Sequence, residues 1–499
     1  MRRYTVPMQP QASQPQVLIA GAGPTGLVLA LCLARRGVAV RIVDQASGPG
    51  LASRAMVVHA RTLEFYRQLG FAQQVVDLGI PIHAVHLRED GEEAAELPLG
   101  DIGAGLSPYP FVLSFPQDEH ERLLVDQLRA AGVEVEWNTA LEHFEQDEWG
   151  VRATLLQGDQ RINTSAAYLC GCDGVHSSTR HALGVAFDGG TYDNLYYVAD
   201  VHTDCANRDL MVHLDANSFA LMLPVRTAGM QRLIGIVPQT EHANVIFDDL
   251  RPRLEALLGI AIDQVNWFST YRVHHRVAGR FRVDRVFLAG GADASLLDTY
   301  EPERSAFARK LVATTDRAFE LIVAQGAGGR LLRNWLVPHV LPALAGFDAA
   351  RRALFRTVSQ VRIHYHDSGL SGGRAGEIIG GDRLPWVPGQ GGEAGPDNFA
   401  PMQTLDWQLH VYGAVDPQLA ALATALRLPL RAWPWTEAAE QAGLLEDAAY
   451  LLRPDMHVAL ALPRQETDVL QELIARWGLR FGDDAQAATA TGWRSQADT

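Results

Sequence analysis

The stretch Val17–Asp44, VLIAGAGPTGLVLALCLARRGVAVRIVD, decides the fold. The apolar run VLIA leads into Gly21-Ala22-Gly23-Pro24-Thr25-Gly26, and a longer apolar run, LVLALCLA, follows it. A short apolar run bounded by glycine reads as a buried strand, and a longer one stopped by a glycine, here Gly37, reads as a buried helix. A second strand, AVRIV, then closes on Asp44. From Val17 to Ala34 the chain carries no charge, which reaches the length of a membrane span. Gly21, Gly23, Pro24 and Gly26 split that run, so strand, turn and helix are expected in place of a span.

The spacing Gly21-x-Gly23-x-x-Gly26 has a physical reason at each position. The first glycine permits a tight turn, the second lets a pyrophosphate approach the backbone, and the third lets the helix pack on the strand. Phosphates would rest on the helix N-terminus beside Pro24 and Thr25, where unpaired N–H groups and the helix dipole favour negative charge. Pro24 suits the first turn because its missing N–H breaks no helical bond. Asp44, at the end of the second strand, is placed to accept hydrogen bonds from a ribose and would repel a 2′-phosphate. A Rossmann-like α/β fold holding FAD or NAD is the expectation.

Composition narrows the function classes. With 43 basic against 58 acidic side chains the formal charge is −15, so no overall cationic field draws nucleic acid or anionic lipid. Neither is expected as a partner. Lys310 is the single lysine, in the amphipathic stretch EPERSAFARKL, which excludes a P-loop and Schiff-base chemistry. Four cysteines, Cys32, Cys170, Cys172 and Cys205, are too few for a disulfide scaffold. The Gln/Pro-rich start lacks the apolar core of a signal peptide, and a cytoplasmic location is expected.

Four further segments carry a family resemblance. They are SRAMVVHARTLEFYRQLG (Ser53–Gly70), YPFVLSFPQDEHERLL (Tyr109–Leu124), YLCGCDGVHSSTR (Tyr168–Arg180), and RVFLAG with LLDTYEPER (Arg285–Gly290 and Leu296–Arg304). Together with the glycine turn they resemble the FAD-dependent aromatic hydroxylases that act on phenols and aromatic polyketides. The resemblance implies FAD as cofactor, with Arg54 near the pyrophosphate or an incoming nicotinamide phosphate, and Gln117 at a polar flavin edge. It also places Asp173 and Gly174 in the second nucleotide motif, D-G-x-x-S-x-x-R, where the carboxylate meets nucleotide hydroxyls or orders the backbone, and Gly290 in the third. The family reaction is hydride transfer from a transiently docked NAD(P)H, oxygen capture as the flavin C4a-hydroperoxide, and oxygen transfer to a small aromatic substrate. Most of that chemistry belongs to the cofactor, and no catalytic side chain is assigned.

The sequence departs from the family after LAG. An aspartate, a loop against the flavin ring and a long helix, roughly 30 residues on ordinary element lengths, are missing. Gly291 stands in the aspartate's place. A non-catalytic or degenerate flavoprotein is therefore the alternative reading. A distant one is a serine hydrolase, since Gly369-Leu370-Ser371-Gly372-Gly373 matches G-x-S-x-G, although its glycine-rich context is wrong for a nucleophile elbow.

The domain reading follows. Residues 1–15 form a disordered leader; 16–85, 115–184 and 272–384 form the FAD-binding domain with a helical extension; and 86–114 and 185–271 form an inserted antiparallel substrate sheet. A Pro/Gly-rich linker, 385–401, precedes a thioredoxin-like domain at 402–483 and a disordered tail at 484–499. No cysteine follows Cys205, so that domain is redox-inert, with a structural or dimerisation role, and a homodimer is one assembly it allows. His364 and His366 fall on one strand face without a further ligand cluster, and no metal site is expected.

Overall fold

The computed structural model describes residues 15–50, 55–89, 92–205, 207–215, 218–227, 229–238, 245–288, 299–305, 308–309, 348–389 and 396–482. Arg54, the join from 289 to 298, Lys310, and nearly all of the expected leader and tail lie outside them.

The quoted stretch folds as read. Strand β1 (Val17–Ala20) is buried along its whole length, helix α1 spans Pro24–Arg35, and strand β2 spans Val40–Val43. They belong to a six-stranded sheet ordered 282–283, 286–288, 168–171, β1, β2, 135–136. β1 lies parallel to both neighbours, with Val17 opposite Tyr168 on one side and Val40 on the other. Its side chains alternate between two cores. Val17 and Ile19 pack with α1 and the helix Gln117–Ala130, whereas Leu18 and Ala20 pack under the three-stranded sheet of residues 139–166. Two covered faces are why this strand reads as a continuous apolar run.

The inserted sheet has seven strands, ordered 262–271, 196–203, 230–236, 218–224, 210–215, 84–89, 92–98. It is antiparallel except where Leu210–Asp215 runs parallel to Ala84–Glu89, a strand contributed by the earlier insertion. Helix Phe247–Leu258 covers one face, burying Phe247, Leu250 and Leu254 against Tyr197, Ala199 and Leu233.

The C-terminal sheet is ordered 378–379, 372–375, 458–462, 449–452, 408–412, 430–433. Its last four strands in the chain lie in spatial order 2-1-3-4, the first two parallel and the others antiparallel. Several boundaries differ from the sequence reading. Val112–Ser114, assigned above to the substrate sheet, pairs with Val57–Val58 and Ile80–Ile82. Gly372–Ala375 and Ile378–Ile379, assigned above to the FAD-binding domain, extend the C-terminal sheet, because Gly372 and Gly373 pair with Leu460 and Ala461. The 385–401 stretch is packed at both ends. Asn398 donates to Pro385 O and accepts from Val387 N, both at 2.8 Å, and Phe399 enters the C-terminal core. Proline and glycine density does not reveal such cross-stretch bonds.

Helix α2 (Ala60–Gln68) joins the two bodies by its polar residues. Glu64 is buried between Arg61 and Arg383, accepting from Arg61 Nη1 at 3.1 Å and Arg383 Nε at 2.8 Å, with Ser107 Oγ at 2.7 Å. Arg67 makes a bidentate pair with Asp397 at 2.6 and 2.9 Å, and Gln68 donates to Met402 O and Pro454 O. Burial opposes ionisation of Glu64, but Arg383 and Arg61 outweigh it and hold the carboxyl below its ordinary range. Its folded pKa being depressed, this stabilisation is complete above the ordinary glutamate range and is lost as pH falls below it. Glu64→Gln should cost about 3–5 kcal/mol in denaturant unfolding at neutral pH, because it strands two buried guanidinium groups. A loss below about 1 kcal/mol would place the pair in the class of solvated ion pairs.

Candidate functional site

The glycine turn and the second motif lie side by side. Gly21 has φ +106°, and a Cβ on it would fall 2.3 Å from Cys172 O; a Cβ on Gly26 would fall 2.0 Å from Gly21 O. These two glycines are demanded by protein packing. Gly23 differs, since nothing lies within 4 Å of its Cβ position. It is the N-cap of α1, no side chain caps that end, and Pro24 opens the helix with Thr25 exposed beside it. The open glycine and the uncapped helix start face the same space, the arrangement an anion needs.

Asp44 lies at this turn. Its Oδ2 accepts from Ala22 N at 2.6 Å and its Oδ1 from Ala46 N at 2.8 Å, so it ties the glycine turn to the end of β2. A carboxylate retains acceptor capacity after two such bonds. Asp173 is engaged by its own loop: Ser177 Oγ at 2.5 Å, Thr179 N at 2.9 Å and Thr179 Oγ1 at 3.0 Å. These partners all belong to the loop that follows the strand, with Gly174 at φ +73° in the turn. Arg180 closes the same loop by donating to Val175 O at 2.9 Å, and its guanidinium stacks 4.3 Å over Phe187.

Gln117 occupies the first turn of its helix and donates to Glu121 Oε1 at 2.8 Å. Glu121 Oε2 in turn accepts from Gly50 N at 2.9 Å, just before the segment that contains Arg54. Sequence reasoning missed Glu121; its signal was the i, i+4 spacing from Gln117 on one helix face. Beyond the join, Tyr300 donates to Leu288 O at 2.8 Å and packs edge-on against Phe287, so the chain returns to the strand that ends near Gly290.

Next to the second motif is a cavity of about 640 Å3, lined by His176, Arg180, His181, His274 and Arg276 among others. Two of the thiols, Cys32 and Cys172, are disfavoured as nucleophiles. Burial pushes Cys32 up to about 11 and Cys172 well above its ordinary value. Ser371 Oγ donates to Tyr365 O at 2.7 Å, and strand Gly372–Ala375 follows where a nucleophile elbow requires a helix, so the hydrolase reading fails on geometry. His366 is held by Asp382 at 2.7 Å and stacks on His364. His86, Glu93 and Glu96 bring donor atoms within 4.8 Å of one another on an exposed sheet edge, a grouping the sequence reading did not single out. Among the described residues no helix is long and apolar enough to cross a membrane.

A family model described as FAD binding domain matches residues 14–293, ending inside the short join. The 6-methylpretetramide 4-monooxygenase of Streptomyces rimosus is 32% identical over 419 residues, covering 73% of this chain and 72% of that protein. The pentachlorophenol 4-monooxygenase of Sphingobium chlorophenolicum is 28% identical, covering 66% and 69%. Among solved structures, the OxyS anhydrotetracycline hydroxylase from Streptomyces rimosus superposes with a TM-score of 0.72 at 24% identity, over 93% of this chain and 99% of that one.

The glycines separate folding from ligand binding. Gly26→Ala should lower stability by about 1–3 kcal/mol or more through overpacking. Gly23→Ala should change stability by no more than about 1 kcal/mol while weakening FAD about tenfold or more in a flavin titration. Unchanged FAD affinity in Gly23→Ala would remove the pyrophosphate from this turn.

Proposed function

The chain belongs to the FAD-binding domain family, and from that premise we propose that it is an FAD-dependent monooxygenase that hydroxylates a phenolic or polyketide aromatic ring with NAD(P)H and O2. The observation that carries this reading is an open, uncapped glycine turn in the same chain as a half-buried apolar sheet face. The names of the two curated relatives, monooxygenases of 6-methylpretetramide and pentachlorophenol, support the substrate class.

The residues present fit the adenosine diphosphate half of FAD. The α1 N-terminus and Gly23 would hold the pyrophosphate, Asp44 would stand by the ribose, and Asp173 would fix the neighbouring loop. Gln117, oriented by Glu121, would meet a polar edge of the ring system. Bound FAD supplies the hydride-accepting and oxygen-transferring chemistry. The protein orients the aromatic ring and excludes water, using the face that carries Val198, Ile234, Leu221 and Val212. The cavity beside His176, His181 and Arg276 offers a cationic setting for NAD(P)H phosphates.

The test is reconstitution with FAD, a visible spectrum, then NADPH oxidation with a panel of phenols and product analysis. Bound flavin with phenol-stimulated oxidation and a hydroxylated product is expected; failure to bind flavin overturns the proposal. The short join between Gly290 and Leu296 favours a second reading, an FAD protein that does not hydroxylate, and flavin binding without any phenol-dependent turnover would select it. Arg276→Ala should raise the NADPH KM about tenfold with kcat within about twofold. An unchanged KM would place the coenzyme elsewhere.

A further inference from the structure

The face of the seven-stranded sheet opposite helix Phe247–Leu258 holds a buried ion pair, Arg232 with Asp200. On strand Tyr196–Thr203 the side chains of Tyr197, Ala199 and Val201 point to the core under helix Phe247–Leu258, so Val198 and Asp200 point the other way. The register sets Asp200 beside Arg232 on one side and Trp267 on the other. Arg232 donates to both Asp200 oxygens at 2.6 Å, and its guanidinium lies 6.0 Å from the Trp267 ring centre. Arg232 is 2% exposed and Asp200 9%, whereas Ile234 and Leu221 in the next row are half-buried.

The first turn of helix Gln117–Ala130 stands near this end of the face. Ser114 Oγ donates to Pro224 O at 3.1 Å, and the Glu119 carboxyl lies within electrostatic reach of Arg226 and Arg232. Asp118 pairs with Arg122 at 3.3 Å. The acids Asp200, Glu119 and Asp118 thus balance Arg232, Arg226 and Arg122. Burial, followed by Asp118, pushes the Glu119 carboxyl above its ordinary range.

We infer that Asp200 determines substrate class by keeping the Arg232 guanidinium matched, so that this end of the site takes an aromatic ring without a carboxylate. The inference rests on the reading of this face as the substrate wall. A carboxylate placed here would have to compete with Asp200 for Arg232 while lying near two acids in a desolvated setting, which is repulsive specificity. Without Asp200 the same guanidinium would present a ready bidentate site for a carboxylate.

The test is equilibrium dialysis of the FAD-loaded protein against 2-naphthol, 3-hydroxy-2-naphthoate and 6-hydroxy-2-naphthoate. The wild-type protein should bind 2-naphthol about tenfold or more tightly than either carboxylate. Asp200→Asn should narrow or reverse that ratio for at least one carboxylate, and the paired variant Asp200→Asn with Arg232→Met should restore the preference for 2-naphthol. Thermal unfolding with each variant identifies any that do not fold, and the wild-type ratio stands without them. Equal or tighter wild-type binding of the carboxylates overturns the inference, as does an unchanged ratio in folded Asp200→Asn. Binding of none of the three overturns the substrate-wall reading beneath it.

Discussion

The approach of two backbone turns at the ends of parallel strands governs the architecture. β1 and the strand Tyr168–Gly171 pair in register, so the segments that follow them are forced together, and at the contact a Cβ on Gly21 would stand 2.3 Å from Cys172 O. The same turn must admit α1, whose Gly26 leaves no room for a side chain. Asp44 then ties the end of β2 to the turn through Ala22 N. Three strand ends are fixed by one glycine, one backbone carbonyl and one carboxylate. The crevice outside the carboxyl ends of parallel strands, where such sheets bind ligands, follows from that closure.

This explains what was legible in the sequence. The positive φ of Gly21 and the lack of space between Gly26 and Gly21 O operate over a few residues, so spacing alone displayed them, whereas the contact of Gly21 with Cys172 comes from a distant strand. The fold class followed from β1, α1 and β2 for the same reason. The partners of the acidic groups were not local in their signal. Asp173 could be placed on its loop, but that Ser177 and Thr179 turn their donors back toward it depends on the loop's conformation and not on spacing. Glu64 gave only the i, i+3 spacing from Arg61, since Arg383 lies 319 residues further along the chain. The strands at Gly372 and Ile378 were assigned to the wrong body because a two-residue parallel pairing with Leu460 and Ala461 leaves no periodicity to read.

Helix α2 reverses the usual reading of an amphipathic pattern. Arg61, Glu64 and Gln68 lie on one face, which in an isolated helix would be the solvated one. Here that face is buried under residues from 383 onward. Buried ion pairs seldom add net stability over an apolar interface, because desolvation offsets attraction. Their effect is to make one docking geometry far better than its neighbours, since Glu64 is satisfied only when Arg61, Arg383 and Ser107 arrive together. The C-terminal body, which has its own cores and no cysteine, is thereby held in one position against the nucleotide-binding body.

The seven-stranded sheet departs from the usual burial pattern. An antiparallel sheet commonly has one buried face and one polar face toward water. This sheet has apolar residues on both: Ala199, Leu233 and Met222 under the helix Phe247–Leu258, and Val198, Ile234 and Leu221 on the other side. A half-buried apolar face is an unusual expense of hydrophobic surface unless something apolar covers it for part of the protein's working cycle. The first turn of the helix bearing Gln117 reaches one end of that face, where Arg232 and Asp200 satisfy each other. A flat ring with little charge satisfies both conditions at once: it covers Ile234 and Leu221 and leaves the ion pair intact.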